Sequence, residues 1–348
     1  MNRSLLLWVF GCLFLTCAYS QKKRSKTTIQ NFSIQQLAPG VWAAIQNDQF
    51  GKAICNAGII DLGDKTLVFD PFMTPEAARE LRTVAEELTG RPVSIVVNSH
   101  YHNDHIRGNQ AFMPIASVIS TSWTRDQIEK SEPEEQDWER RHAPALLKAA
   151  RKMYAMGNGG DREELPMWIG YYEGMMESLD ELKIILPDIV FSDSLWLVGT
   201  ARSVKLEEFK NGHTGSDIVL YLPNEQIAFM GDLLFVKRHP WLCDGDPANW
   251  QLTLKKWCDN PNVKTFLPGH GPVCDKEGVK TLCDYLGKMQ EIAAAANTDS
   301  LQSRLLMQPI PSPYQNWYFN KFYESNMKYL FTRNRNATAA ALKPPESP

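Results

Sequence analysis

Residues 98–105, Asn-Ser-His-Tyr-His-Asn-Asp-His, place four potential metal ligands close together, directly after a run that is typical of a buried strand. His100 and His102 alternate, so in an extended loop both side chains point the same way and can bind one ion. Asp104 and His105 follow where the chain is predicted to turn into a helix, and they can face a second ion. The fold must therefore present a rigid loop at the end of a strand.

Two further histidines occur in glycine-flanked turns, where rigid scaffolds commonly present ligands. His213 lies in Gly-His-Thr-Gly and His270 in Gly-His-Gly. A single histidine is more often solvated or satisfied within a core, but five of the seven histidines in this chain are clustered in these contexts, three in residues 98–105 and two in the glycine-flanked turns. Imidazole combined with carboxylate oxygen favours zinc over magnesium or calcium.

Short β-type runs separated by turn residues surround these candidate ligands. Strands are predicted at residues 41–45, 57–60, 66–69, 92–97, 194–198, 204–209, 218–222 and 227–230. Helices are predicted at residues 75–88, 252–257 and 277–296. Residues 123–187 are charged and helix-forming, and both flanks continue the same pattern of strands. We interpret them as a helical insertion in one domain, residues 32–297, followed by a C-terminal extension at 298–348 with a frayed end.

In this order along the chain, the motif resembles the signature of the metallo-β-lactamase superfamily: H-x-H-x-D-H, a later His, a later Asp and a last His. The resemblance implies an α/β fold, a four-layer αβ/βα sandwich with a helical insertion, and two metal ions at the edge between two sheets. It implies that the first ion is bound by His100, His102 and His213. It implies that the second is bound by Asp104, His105 and His270. Asp232 matches the carboxylate that bridges both ions, and Asp70 matches the aspartate that supports the loop without binding metal.

The resemblance also implies a metal-dependent hydrolase for a small molecule. Two cations, zinc at both sites or iron or manganese at the second, lower the pKa of a shared water and generate the nucleophile. Asp104 is expected to orient that water and to pass on a proton. The seven-ligand set with Asp232 resembles glyoxalase II, metal-dependent lactonases and exported hydrolases more than the lactamases with Cys at that position. The expected substrate is an ester, thioester, lactone or amide.

Three alternatives stay open. A β-lactamase proper would turn over nitrocefin when loaded with zinc. A mono-iron oxidoreductase of the persulfide dioxygenase type shares this fold but uses fewer ligands. A non-catalytic binding protein is disfavoured by the complete ligand set.

Residues 1–20 have the pattern of a secretory signal peptide, with Arg3 before a short apolar run and small residues before Gln21. The run is too short for a typical membrane-spanning helix. Export to the periplasm or the medium is therefore expected, with residues 21–31 as a flexible segment. Lipidation at Cys12 or Cys17 is the alternative that would anchor the protein to a membrane.

The formal net charge of −3 gives no indication of a nucleic-acid partner, and the oligomeric state stays open. After the leader the chain keeps an odd number of cysteines, so at least one is expected to be unpaired. Several other residues have two interpretations, as cleft residues or as ordinary core or loop residues: His239, Tyr101, Asn103, Cys243, Cys274 and the aromatics Trp168, Tyr171, Tyr172, Tyr314, Trp317, Tyr318 and Phe319. His142 is predicted to be solvated on a charged helix.

Overall fold

The structure is a computed structural model that describes residues 29–157, 163–296 and 298–341. The predicted leader, including Cys12 and Cys17, lies outside the described residues. At the end of the segment predicted to be flexible, Asn31 is already buried and donates a hydrogen bond to Glu80 Oε2 at 2.8 Å. Within the described part of the chain, no helix combines the length and the apolar character needed to cross a membrane.

The first sheet has seven strands that pair in the order in which they occur in the chain. They are β1 (Phe32–Ala38), β2 (Val41–Gln46), β3 (Ala57–Asp61), β4 (Thr66–Phe69), β5 (Val93–Val97), β6 (Ser117–Thr121) and β7 (Ile189–Phe191). The first four strands form antiparallel pairs, and the pairs from β4 to β7 are parallel. The carboxyl ends of β4 and β5 therefore meet at one edge, where the histidine motif begins.

The second sheet has five strands in the order β12-β11-β10-β9-β8. Their bounds are β8 (Ser194–Val198), β9 (Ser203–Lys210), β10 (Ser216–Leu222), β11 (Ile227–Phe229) and β12 (Thr265–Leu267). The pairs from β8 to β11 are antiparallel, whereas β11 and β12 run parallel. The ends of these two parallel strands present the later part of the motif at the same edge.

The period-2 alternation of β4 shows how the layers are built. Leu67 and Phe69 belong to the core between the sheets, together with Leu220 and Phe229 of the second sheet. Val68 points the other way and packs with Leu81. Leu81 lies on α1 (Pro75–Thr89), which begins at the Thr74 cap, has Pro75 in its first turn and ends at Gly90 with φ 73°.

The outer face of the second sheet is covered by α5 (Pro247–Asp259) and α6 (Lys276–Ala295). Leu254 of α5 and Leu282 of α6 share a buried cluster with Val219 and Phe266 of the sheet. The layers therefore run helix, sheet, sheet, helix. The predicted α/β fold and its four-layer arrangement are confirmed.

Two helices lie between β6 and β7, where the helical insertion was predicted. α3 (Ser122–Met156) starts at a Thr121 cap and contains Pro133 and Pro144, and α4 (Leu165–Ser178) follows it. A short helix, α2 (Asn103–Ile106), precedes them in the histidine motif. The insertion packs beside the edge at which the strands end.

The C-terminal extension, in which no helix was predicted, is largely helical in its described part. It contains α7 (Asp299–Leu306) and a long helix, α8 (Asn320–Ala341). Tyr323, Met327, Leu330 and Phe331 of α8 are buried. These positions follow a helical spacing, so tertiary packing stabilises this segment as a helix.

Candidate metal centre

The ligand loop is held by hydrogen bonds from residues that are not themselves candidate ligands. Asp70 follows β4 in a left-handed backbone conformation, φ 55°, which aspartate tolerates better than most residues. Its Oδ1 accepts from the Ser99 backbone N–H at 2.7 Å, and its Oδ2 lies 2.9 Å from His105 Nδ1. Asn98 donates to the carbonyl oxygen of His105 at 2.8 Å. The motif is therefore fixed at both ends before any ion binds.

Three imidazole nitrogens converge on one point. His102 Nδ1 lies 3.0 Å from His100 Nε2 and 3.0 Å from His213 Nε2. Two nitrogens bound to one tetrahedral zinc, at bond lengths of about 2.0–2.1 Å, lie roughly 3.3 Å apart. The observed separations are close to this value, so the three side chains fit the donor set of a single ion.

A second group joins His105, His270 and Asp104. Asp104 Oδ2 lies 3.4 Å from His105 Nε2 and 3.3 Å from His270 Nε2. His270 follows β12, and its ring stacks on that of Phe235 with 4.9 Å between the ring centroids. These ligands come from two distant parts of the chain and share one face of the site.

Asp232 contacts both groups. Its Oδ2 lies 3.4 Å from His213 Nε2 and 3.3 Å from His270 Nε2, and its Oδ1 lies 3.1 Å from His105 Nε2. Asp232 follows β11 in a short 3-10 turn, Gly231–Leu233. One carboxylate therefore spans the two clusters. All seven residues predicted from the sequence are brought together.

Two buried polar atoms in the cluster lack hydrogen-bond partners among the described residues, and this supports the view that the cluster binds divalent cations. His105 Nε2 and Asp232 Oδ1 are both buried, and neither makes a hydrogen bond to any described residue. Burial lowers the pKa of His213 to about 3 and that of His100 well below its usual value, which keeps their rings neutral and their lone pairs available. The neutral imidazoles of His100 and His213, together with buried carboxylates directed at the same space, are donors of the kind that a metal ion such as zinc binds.

The two carboxylates of the cluster are kept ionised by the histidines beside them. Burial alone would raise the pKa of Asp232, but the charges of His270 and His105 outweigh it and place that pKa well below the usual value. The pKa of Asp104 is lowered in the same way, since His105 and His270 outweigh the effect of burial. Both side chains are therefore anionic ligands at neutral pH.

The outward-facing ring nitrogens of His100, His102 and His270 are held by other residues, as expected for metal-binding histidines, whereas Nδ1 of His213 makes no hydrogen bond to a described residue. His102 Nε2 lies 3.1 Å from Asp244 Oδ2, and His100 Nδ1 lies 2.8 Å from the Ser99 hydroxyl. His270 Nδ1 lies 2.9 Å from the backbone carbonyl oxygen of Ile54. These contacts set which nitrogen of these three rings faces the site.

A glycine permits the close approach of the last two ligand loops. A Cβ atom on Gly269 would lie 1.9 Å from Asp232 Oδ1, closer than any real side chain allows. Asn56 anchors the same loop, because its amide donates to the carbonyl oxygens of Pro268 and Gly271 at 2.9 and 2.7 Å. The glycine-flanked context of His270 in the sequence therefore has a steric cause.

A cavity of about 430 Å³ opens onto Asp104, Asp232 and His270. Its aromatic walls include Tyr101, Trp168, Tyr171, Trp241, Phe319 and Phe322. They come from the motif loop, the insertion, the loop after β11 and the C-terminal extension. The cavity is large enough for a small-molecule substrate.

The residues with two interpretations divide between cavity and core. Tyr101, Asn103, Trp168, Tyr171 and Phe319 line the cavity. Tyr172, Tyr314 and Trp317 are buried in the core. His239 is fully buried beside Tyr285, with its Nδ1 3.0 Å from the Tyr285 hydroxyl, and it does not line the cavity. His142 is exposed, as predicted, and stacks on Trp138.

The cysteines are free throughout the described part of the chain: Cys55, Cys243, Cys258, Cys274 and Cys283. Cys55 was not singled out from the sequence, yet it lies beside the second ligand group. Its thiol donates to the carbonyl oxygen of Asp104 at 2.9 Å, and burial raises its pKa to about 12. It is therefore a neutral donor that supports the loop.

Sequence reasoning also missed Asp244, Asn56 and Glu135. Asp244 lies in the loop after β11, and Glu135 lies on α3 and lines the cavity. In the sequence, Asp244 resembles the neighbouring helix cap Asp246, and Glu135 resembles a residue on a solvated helix face. Each acquires its place only through a contact with a distant part of the chain, so no local signal distinguishes them.

Comparisons with known proteins agree with this arrangement. The family model of the metallo-beta-lactamase superfamily matches residues 51–270. A solved metallo-beta-lactamase from Pontibacter korlensis has a TM-score of 0.53 and 18% identity, and the match covers 74% of this chain and 99% of the other. A metallo beta lactamase from Erythrobacter litoralis, solved with beta mercaptoethanol in the active site, has a TM-score of 0.52 and 18% identity, with 74% and 97% covered. At this identity the structural likeness shows the fold.

Proposed function

We propose, from the premise that this chain belongs to the metallo-β-lactamase superfamily, that it is a two-metal hydrolase acting on an ester, thioester, lactone or amide of a small molecule. The observation that carries the proposal is the position of Asp232, whose two oxygens reach both ligand groups. Zinc is the proposed metal because the donors are imidazoles and carboxylates. The substrate and the metal content are part of the proposal.

Two divalent cations at such a site supply Lewis acidity and lower the pKa of a water toward neutrality. His100, His102 and His213 would hold the first cation, and Asp104, His105 and His270 would hold the second. Asp232 would bind to both. The preceding contacts of Asp70, Ser99 and Asp244 keep these rings in place, so little reorganisation is needed when an ion binds.

Asp104 is the residue we assign to proton transfer. It lines the cavity, and its side chain keeps 13% of its surface exposed while His105 is fully buried. The carboxylate is ionised at neutral pH and can accept a hydrogen bond from a water in the cavity. It is therefore placed to orient that water and to take up its proton.

The alternatives are less well supported. A mono-iron oxidoreductase needs fewer ligands than the seven that converge here. A β-lactamase proper stays within the proposed reaction class, and nitrocefin turnover tests it directly.

The decisive experiment is a substrate panel on zinc-loaded protein, with chromogenic esters, lactones, thioesters and a cephalosporin. We expect hydrolysis of at least one class and a loss on the order of 10²-fold or more in kcat for Asp104→Asn. The matched control is Asp126→Asn on α3, away from the ligands. Elemental analysis should give about two ions per chain. A single iron per chain together with no hydrolysis would contradict the proposal.

We further propose that the protein is exported and that the leader is removed before Gln21, on the basis of the signal-peptide pattern. Mass spectrometry of the protein expressed with its full leader tests this. A mature chain beginning at Gln21 supports simple export, and a lipidated Cys12 or Cys17 supports an anchored form. Retention of Met1 in the cytoplasm would contradict both.

A further inference from the structure

The charges around the cavity are of one sign. Beyond the candidate ligands, the ionisable carboxylates that line it are Glu135 and Asp244, and no lysine or arginine is among its lining residues in the described part of the chain. Asp104 and Asp232 are neutralised once cations bind. A second anionic group on a substrate, away from the bond to be cleaved, would then meet two carboxylates and no protein cation.

Glu135 is held in place without a counter-ion of its own. Asn103 donates to Glu135 Oε1 at 2.8 Å and to Glu139 Oε1 at 3.1 Å. The nearby guanidinium of Arg107 is already paired with two other carboxylates, Glu132 at 3.1 Å and Glu139 at 2.8 Å. Arg107 is buried and does not line the cavity. The carboxyl group of Glu135 therefore lines the cavity without a lysine or arginine of the described chain paired to it.

The burial of Glu135 also favours a cation beside its carboxyl group. It raises the pKa of Glu135 to about 7, against the opposing influence of Arg107, and the neighbouring carboxylates of Glu132 and Glu139 add to the rise. The anionic form is thus destabilised in the free protein. A cation bound beside Glu135 would relieve that destabilisation.

The remaining walls are suited to a cation as well. Tyr101, Tyr171 and Trp241 line the same cavity as Glu135, and aromatic faces attract ammonium groups, quaternary ones included. Trp168 already shows this behaviour, because Lys321 Nζ lies 3.1 Å from its ring centroid. Lys321 does not itself line the cavity.

We propose that the substrate of this site carries a cationic group, an ammonium or a quaternary ammonium, held between the Glu135 carboxylate and the aromatic walls. This inference rests on the proposed hydrolase function and specifies its substrate class. Glu135 is the residue that determines specificity: the ligands act on the bond that is cleaved, and Glu135 binds the charged end of the substrate.

The test is a binding experiment that needs no hydrolysis. Three probes of similar size differ in charge: trimethyl(3-phenylpropyl)ammonium, the neutral N-(3-phenylpropyl)acetamide and 3-phenylpropane-1-sulfonate. Each is titrated into the zinc-loaded full chain by calorimetry, with tryptophan fluorescence as a second readout because Trp168 and Trp241 line the cavity. We expect the ammonium probe to bind on the order of tenfold more tightly than the amide, and the sulfonate to bind most weakly.

The variants separate charge from shape. Glu135→Gln should remove most of the preference for the ammonium probe while zinc content and circular dichroism stay unchanged. Glu134→Gln, an exposed neighbour that does not line the cavity, is the matched control and should keep the preference. Ser131→Lys, which adds a cation to the same wall, should abolish it independently.

The inference would be overturned if the ammonium and amide probes bound with equal affinity or if the ammonium probe did not bind. It would also be overturned if the preference for the ammonium probe were unchanged in both Glu135→Gln and Ser131→Lys. An active hydrolase without charge preference would contradict this inference alone. If the protein binds the ammonium probe preferentially but cleaves neither the uncharged panel nor its cationic counterparts, only the proposed hydrolase function is contradicted.

Discussion

His102 and Asp244 are joined by a hydrogen bond on the side of the imidazole ring that faces away from the other ligands. His102 Nε2 lies 3.1 Å from Asp244 Oδ2, while its Nδ1 faces His100 and His213 at 3.0 Å each. Because the proton is then on Nε2, the lone pair of Nδ1 is directed into the site. The bond to His102 also outweighs the effect of burial and lowers the pKa of Asp244 to about 2, so Asp244 stays ionised.

Asp244→Ala is therefore expected to weaken zinc binding by about 10–100-fold without unfolding the protein. Competition with a chromogenic chelator measures the affinity, and circular dichroism checks the fold. Asp259→Ala at the exposed end of α5 is the matched control and should leave the affinity unchanged. An unaltered zinc affinity in Asp244→Ala would show that the hydrogen bond does not orient the ring.

The metal content should respond differently to different ligands. His105→Ala is expected to reduce the content from about two ions per chain to about one, because the inward-facing Nε2 of His105 lies against Asp104 of the second group and the bridging carboxylate. Asp232→Ala should lower the content further, since it removes a contact to both groups. Elemental analysis after desalting measures this. His142→Ala on α3 is the control, and a loss equal to that of His105→Ala would contradict the assignment.

Arg107→Leu is expected to destabilise the protein by about 3–5 kcal/mol, because Glu132 and Glu139 would remain buried without a positive partner. Urea unfolding measures the change. Arg79→Leu, which breaks an exposed pair with Glu181, should cost no more than about 1 kcal/mol.

A triple variant separates charge from packing. Arg107→Met combined with Glu132→Gln and Glu139→Gln should recover much of the lost stability, since the uncompensated charge is gone. A triple variant as unstable as Arg107→Leu would show that packing, rather than charge, explains the loss.

His239 should make stability depend on pH below neutrality. Burial lowers its pKa to about 4, whereas an unfolded histidine titrates near 6.5. Between these values the unfolded chain binds more protons than the native one, so stability falls as the pH is lowered from about 6.5 to 4, by up to about 3 kcal/mol. The free energy of unfolding at several pH values measures this.

His239→Phe is the comparison for that pH profile. It should lose this part of the slope, while its stability at pH 7 changes mainly through the lost hydrogen bond to Tyr285. The exposed variant His142→Phe should keep the wild-type slope. Identical slopes in His239→Phe and the wild type would contradict the assignment.

The ligand positions could be predicted from the sequence because their signal is local. His100, His102 and His105 fall in one short motif, and His213 and His270 lie between glycines whose lack of a side chain is sterically required. The fold class was implied by the resemblance to the superfamily that the same motif carries. The roles of the seven side chains as ligands stay predictions until metal is measured.

Other parts could not be predicted, for physical reasons. Asp244 and Glu135 gain their positions from contacts with His102 and Asn103, which come from distant segments. The helical spacing of Tyr323, Met327 and Leu330 in α8 was present in the sequence. No helix was predicted there, because the segment that begins at residue 298 mixes prolines with aromatic residues. Packing against the core stabilises the helix.

Most of the cavity walls come from α3, α4, the loop after β11 and the C-terminal extension, with Tyr101 from the motif loop, whereas the candidate ligands lie at strand ends and in one turn of the two sheets. The candidate metal ligands and most of the residues that line the cavity thus lie in different segments of the chain. If the proposed function is correct, exchanging the insertion with that of a relative should change which compounds are cleaved while the candidate ligands stay in place. Phe319 and Phe322 of the extension line the cavity, while Met327 and Leu330 belong to the core, so substitutions at the first pair are expected to change binding in the cavity and substitutions at the second pair the stability of the whole domain.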